Sequence, residues 1–469
     1  MPEVETESSP HDGELAMRGY KLLEREAEEV VKCVKYSSEE EVVRRLIHNQ
    51  QDAREICTII VQDGTTALHA LAQMSRPQIL QLLLDLGVDV NARNNEGKTP
   101  LHTALLYNNL LVARMLIDSG ADINEKLSKR TGMSLLHKLV LRDNIQGVQL
   151  LVDRGAFVND KDISGRTPLH VTLLRNNAKM TQYLIEKGGE VNAVDKAGDS
   201  LLHMALQYKN TDISKVLIHK GADLNMKNKQ GLTPLHLAVD GPYVELTRMI
   251  LKKSTTNVNT KEKLMGRTPL HLACAHNSSN IARMLIENGA DVNLSTTFRK
   301  SPLHITAKHN ATDTAQLLIK HHANVNMLTV GNKTPLHEAI ESESYNIGTL
   351  LVQAGANINF RDLHGLTPLH YATNAQSISF MSFLLHNGSL VNLRDNKQKS
   401  VLHHAALIGN TDICVFLLKT GIDKDSPDED NKKADFYAET PELKKLLQDG
   451  IKIEESKPFH SFRKGTNYK

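Results

Sequence analysis

The chain of 469 residues has no tryptophan and only 10 tyrosines and 9 phenylalanines, too few large rings to fill one large closed core. Many small aliphatic cores suit that composition better. The four cysteines, Cys33, Cys57, Cys274 and Cys414, lack C-x-x-C spacing, so neither a disulfide framework nor a zinc site is expected, and reduced thiols in the cytosol or nucleus are. A formal net charge of +2 lacks the basic excess of a general phosphate-binding face, so no specific nucleic-acid binding is expected. No segment has the roughly 18 consecutive apolar residues that a membrane span needs, and the acidic start MPEVETESSPHDGEL lacks the apolar stretch of a secretory signal. Membrane insertion and secretion are therefore not expected. There is no GxxxxGK[ST] phosphate loop, no GxGxxG after a strand, no GxSxG elbow and no HExxH helix, and the expectation is a non-enzyme without a cofactor.

What the chain has is repetition. TPLH occupies 99–102 and begins again at 167, 233, 268, 334 and 367, while TALH at 66, SLLH at 134 and 200, SPLH at 301 and SVLH at 400 fill the gaps. The eleven histidines run from His69 to His403 in steps of 33, except for two steps of 35, His102 to His137 and His236 to His271. Each long step carries a two-residue insertion that keeps the phase. After each box come a short helix-like run, a second run with paired aliphatics such as Met115, Leu116 and Ile117, and a closure of the form G-A-D-[IV]-N, as at Gly120 to Asn124.

The residue choice has a local physical basis. Thr99 offers an N-cap hydroxyl, Pro100 suits a first helical position whose amide would be unpaired anyway, and Leu101 turns inward. Gly120 ends the second helix where a left-handed residue is needed, and Gly97 supplies the turn before the next box. One such unit exposes apolar flanks on both sides, so neighbours must stack.

The ends should be modified. A step of 33 from His403 lands on Phe436 in KKADFYAETPELKKLLQDG, which lacks the box and reads as a capping repeat. Four segments follow: an acidic disordered stretch at 1–13, a helical cap at 14–59 containing a Ser38 to Glu41 capping box, the repeat array at 60–450, and a flexible tail at 451–469. A soft joint is expected near 252–266, where the terminating glycine is replaced within Ser-Thr-Thr beside an insertion. His322, standing where other copies have Gly, is expected at positive φ.

The 33-residue period, the T-P-L-H box and the paired helices closely resemble the ankyrin-repeat family over roughly residues 60 to 450. That resemblance implies an all-α ankyrin-repeat solenoid of stacked helix-turn-helix units with projecting β-hairpin loops. It implies that the box imidazoles hydrogen-bond to turn backbone rather than bind metal or catalyse. It also implies that partners are held by the hairpin tips and the groove side of the first helices, and that closure asparagines such as Asn91, Asn124, Asn225 and Asn293 suit asparaginyl hydroxylation. Cys274, near His271 and His276, falls on the packed face of a first helix and reads as a buried thiol.

Read by phase, the tips carry Arg93, Lys98, Arg130, Arg166, Lys229, Arg267, Lys300 and Lys333, and the first-helix ends add Arg142 and Arg175. An edge so basic suggests a partner with an acidic surface or peptide, against the alternative of ordinary solubilising charge. Tyr107, Tyr208 and Phe298 are the candidate aromatic anchors, with local packing as the alternative. The expected function is an intracellular, cytoplasmic or nuclear, monomeric scaffold or adaptor binding protein partners. Two other readings are a substrate receptor of a ubiquitin ligase, disfavoured by a polar C-terminal stretch without Leu- and Cys-rich helices, and a secreted ankyrin-type effector.

Overall fold

The Thr or Ser that opens each box lies in extended backbone, with Thr99 at φ −92° and ψ 166°, and the chain turns helical at the next residue. The cap is reciprocal. Thr99 Oγ1 accepts from the His102 amide, and Nδ1 of His102 accepts from the Thr99 amide at 3.0 Å. A histidine thus does the work that Glu or Gln does in an ordinary capping box. This arrangement recurs at all eleven boxes, from Thr66 to Ser400.

The computed structural model describes residues 10–38, 41, 42, 44, 45, 57, 64–127, 130–253 and 255–450. Among these, twenty-four α-helices and one 3-10 turn form two compact units, Met1–Asp223 and Leu224–Lys469. Each unit is a solenoid of helix pairs.

In the first unit, first helices such as Pro100–Leu106 and Leu135–Leu141 pack on the first helices of neighbouring repeats. Second helices, such as Leu110–Asp118 and Ile145–Asp153, pack on second helices. Leu101, Leu105, Leu116, Leu135 and Leu151 are fully buried between them. The helix Pro10–Tyr36 closes the N-terminal end, laying Ala27, Val30, Val31 and Val34 on the first repeat. Arg76 ties its end down by donating to the carbonyls of Val34 and Ser37 at 3.1 and 2.7 Å.

That helix begins at Pro10, inside the stretch 1–13 expected to be disordered, because proline is well placed at a helix start and the apolar stripe behind it has the first repeat to cover. Ser38 Oγ accepts from the Glu41 amide, as its capping box predicts. Residues 46–56 of the expected cap, and the expected tail 451–469, lie outside the described residues.

The second unit repeats the plan from Pro234–Asp240 to Thr411–Leu418. It ends in the 3-10 turn Ala434–Tyr437 and the helix Pro441–Asp449, the expected box-less closing repeat. His322 is left-handed at φ 61°, where other repeats place glycine. The hairpins are tight turns rather than ladders. Among the described residues, the only strand-like pairings are the isolated antiparallel bridges Lys126 to Ser134, Val194 to Ser200 and Arg394 to Ser400.

At the joint 252–266, expected to be soft, one hydrogen bond is peculiar to this closure and one is the register bond that other closures also make. Thr256 Oγ1 donates to the Ile250 carbonyl at 2.9 Å, and Asn225 Oδ1 accepts from the Asn257 amide at 2.7 Å. The closure asparagines carry the register from one repeat to the next. Asn259 Oδ1 accepts from the Asp291 amide at 2.9 Å, while its Nδ2 donates to the Gly289 carbonyl at 3.0 Å. Asn91, Asn326 and Asn359 make the same pair of bonds. Asn259→Ala should therefore lower stability by about 1–2 kcal/mol, and Asn259→Asp, which keeps the acceptor, by less. Urea denaturation reads the difference, and an alanine variant as stable as the parent would refute it.

Candidate partner-binding surface

The eleven box histidines, the most conspicuous chemistry of the sequence, are consumed by the frame. In the second unit, Nε2 of His271, His304 and His403 donates to the carbonyls of Lys300, Lys333 and Lys432 at 3.1, 3.0 and 3.2 Å, 29 residues further on. In the first unit, His69 and His137 do the same to Lys98 and Arg166 at 2.8 and 2.9 Å. With Nδ1 accepting an amide and Nε2 donating to a carbonyl, each ring is neutral and locked. Burial holds His102, His170, His236, His271, His304, His337 and His370 down to about 4. His102 and His170 lack an acceptor at Nε2. The cysteines are buried as well, and burial raises the Cys57 thiol to about 12, the Cys414 thiol to about 11, and Cys274 in the same direction. A thiol held protonated is a poor nucleophile.

The turn carboxylates are equally occupied. Asp162 Oδ1 accepts from the Ser164 and Arg166 amides at 2.8 and 2.9 Å, and Asp395 Oδ1 accepts from those of Lys397 and Lys399 at 2.8 Å each. Asp362 and Asp428 make the same clamp and also accept the phenol protons of Tyr371 and Tyr437, at 2.9 and 2.5 Å. In the hairpin after Asn259, the turn is one residue longer and Glu262 replaces aspartate. Its extra methylene lets Oε1 reach the amides of Met265 and Arg267 at 2.8 and 3.2 Å, while Oε2 takes Leu264 at 2.6 Å. Burial alone would raise Glu262, but those amides outweigh it and hold the carboxyl below its usual range.

The tip cations are less available than the sequence implies, because most have local carboxylates. Arg93 pairs with Glu125 and Lys98 with Glu96. Arg166 meets Asp162 at 2.9 Å, Arg267 meets Glu262 at 3.4 Å, Lys300 meets Glu338 at 2.8 Å and Lys333 meets Glu341 at 2.9 Å. Lys333 also sits over the Tyr371 ring, 5.0 Å from its centroid. Arg130 and Lys229 are exposed in their turns. Phase alone shows which side chain is at a tip, but not whether its own hairpin, or the next repeat as for Arg93 and Lys300, brings a carboxylate to it.

The structure does bring four predicted residues into one row. Tyr107, Arg142, Arg175 and Tyr208 are equivalent positions at the C-terminal ends of consecutive first helices in the first unit, and all four are exposed. Arg175 is aimed by its Nε, which donates to the Leu141 carbonyl at 2.5 Å. Beside Tyr107 lies a hollow of about 220 Å³ lined by Gln73, Asn94, Lys98 and Leu106. Phe298 is exposed on a hairpin of the second unit, apart from this row. Sequence reading missed its apolar neighbours on adjacent hairpins, Leu264, Met265, Val330 and Leu363, though aligning the turns by phase would have exposed the row.

Comparison with known families agrees with the geometry. The family model described as ankyrin repeats (3 copies) matches residues 31–127, 136–228, 202–296, 288–362 and 349–428. A comparison with curated proteins found no match. Repeats of this kind generally mediate protein–protein interactions, and proteins built from them are typically non-catalytic. No helix among the described residues is long and apolar enough to cross a membrane. With capped helix pairs, a buried box histidine and an asparagine closure recurring through the matched segments, the chain belongs to the ankyrin-repeat family.

Proposed function

We propose that the protein is a non-catalytic intracellular scaffold or adaptor, cytoplasmic or nuclear, that holds partner proteins on its first-helix ends and hairpin tips. The carrying observation is the row Tyr107, Arg142, Arg175 and Tyr208: large side chains exposed at one position in four consecutive repeats, where helix packing requires none of them. Aromatic and arginine side chains are the types that dominate binding energy when a partner covers them. The buried imidazoles and thiols, by contrast, belong to the frame, which favours binding over catalysis.

Proximity labelling with the full chain and with a Tyr107→Ala, Arg142→Ala, Arg175→Ala, Tyr208→Ala variant tests the reading. Loss of a reproducible set of labelled proteins, with melting unchanged, is the expected result. An identical labelled set from both would remove this row from the function. A cullin among the labelled proteins would favour the ubiquitin-ligase reading, and recovery of the chain outside cells would favour an effector.

A further inference from the structure

The hairpins of the second unit carry an apolar stripe that the frame does not use. Leu264 is 77% exposed, Phe298 58%, Val330 59% and Leu363 59%, with Met265 beside Leu264. They occupy successive turns. The Thr297 amide donates to the Met265 carbonyl at 2.8 Å, the Val330 amide to Phe298 at 3.1 Å and the Leu363 amide to Gly331 at 3.0 Å, so the tips are pinned side by side as one surface. The stripe is bounded. One turn before it the equivalent residue is Lys229, and one turn after it Asn396. Its first member sits on the Glu262 turn, which is one residue longer than those of the three hairpins that follow.

Its electrostatic setting is one-sided. Lys261 and Arg361 donate to backbone carbonyls, of Ser295 in the first case and of Gly365 and Arg394 in the second. Lys263 and Arg299 are exposed, and neither is ion-paired with a carboxylate among the described residues. The two carboxylates of these turns, Glu262 and Asp362, are buried and spent on turn amides and on Arg267 and Tyr371. Arg299 holds a left-handed position, φ 56°, that the equivalent turns give to Gly97, Gly165 and Gly365. A long cationic side chain is therefore retained where glycine would be easier.

We propose that this stripe, on the hairpins from Lys261 to Leu366, is the docking site for an acidic peptide segment bearing apolar side chains. The inference rests on the reading of the array as a protein-binding surface and names the chemistry of the partner. Exposed aliphatic contacts supply area, and the surrounding unpaired cations select negative charge and steer its approach. Aliphatic side chains outnumber the one aromatic ring, which suits a peptide better than the stacked bases of a single strand. At a helix-packing distance of about 9 Å per repeat, four turns span about 27 Å, the length of about 8 extended or 18 helical residues.

Random 20-residue peptides displayed on phage, panned on the full chain and then measured singly by fluorescence anisotropy, provide the test. Enriched peptides should combine Glu or Asp with large apolar residues and should weaken as salt rises. Their binding should fall at least tenfold with Leu264→Ser, Val330→Ser, Leu363→Ser together, and likewise with Lys263→Glu, Arg299→Glu. Ile163→Ser, at an exposed tip of the first unit, should leave it unchanged, and all variants should melt as the parent does. Enriched peptides without acidic or apolar character would overturn the proposal, as would binding indifferent to both sets of substitutions or preferential binding of single-stranded DNA. Peptides bound but insensitive to these changes would leave the array a protein-binding surface with its site elsewhere. If no peptide is enriched and proximity labelling is also empty, both readings fall.

Discussion

Helicity of the chain is expected to be constant above pH 6.5 and to collapse as the pH falls from 6.5 to about 4, well before ordinary carboxylates would unfold it. The cause is the row of box histidines. Burial lowers His102, His170, His236, His271, His304, His337 and His370 from 6.5 to about 4, and it lowers His69, His137 and His403 in the same direction. In that window the unfolded chain binds protons that the folded chain refuses, so stability falls as pH falls; above 6.5 both states are neutral and the contribution is complete. Local geometry adds to burial, because a protonated Nδ1 would aim a hydrogen at the Thr or Ser amide it now accepts from.

The magnitude decides the outcome. A fall from 6.5 to about 4 is worth roughly 3 kcal/mol per ring, and domains are stable by about 5–15 kcal/mol, so proton uptake at a few boxes suffices. Because repeat stability is a sum of local and nearest-neighbour contributions, the loss should spread through adjoining repeats. Carboxylates held low by hydrogen bonds, Glu262 by turn amides and Asp428 by the Tyr437 phenol and turn amides, lose their contribution only as pH falls through their depressed values and do not set this window. Far-UV circular dichroism across the range is the measurement. Full helicity persisting at pH 4 would show that the imidazoles are far less protected than their burial implies.

Phe380→Ala should be the most damaging single truncation in the second unit, costing about 3–5 kcal/mol. Phe380 is 1% exposed, and it is the largest side chain that the chain buries completely among the described residues. Its ring fills a hollow left by a missing side chain on the preceding second helix. A Cβ built on Gly348 would lie 2.6 Å from Phe380 Cε1, and Tyr345 on the same helix packs against the ring at 5.0 Å. Gly348 lies inside the helix Tyr345–Gln353, where alanine would ordinarily stabilise by about 1 kcal/mol. Here the sign should reverse. Gly348→Ala is expected to destabilise by about 1–3 kcal/mol, since the buried ring has nowhere to move.

The pair is coupled, so Gly348→Ala with Phe380→Leu should be less damaging than the sum of the two single changes, by about 0.5–3 kcal/mol. Urea denaturation of the four proteins gives the cycle. Strict additivity, or a stabilising Gly348→Ala, would show that ring and glycine do not share this space. The 33-residue alignment lines Gly348 up with ordinary helix positions and gives no hint of the ring beyond it, because the two meet across a repeat boundary.

That contrast marks how far sequence reading reached. The helix pairs, the caps at Thr99 and its equivalents, the left-handed glycines and His322, and the degenerate closing repeat were all legible, because each follows from short-range backbone and side-chain chemistry within one 33-residue unit. Periodicity then required the units to stack, since none can bury both flanks alone. What lies between units was not legible. The carboxylates that neutralise Arg93 and Lys300, the Leu141 carbonyl that aims Arg175, and the seat of Phe380 on Gly348 depend on which group of one repeat faces which of the next. Sequence by itself determined the repeating unit and the need to stack it. Only the tertiary structure decided which charges are spent and which surface remains, because those are settled by contacts between residues about a repeat apart.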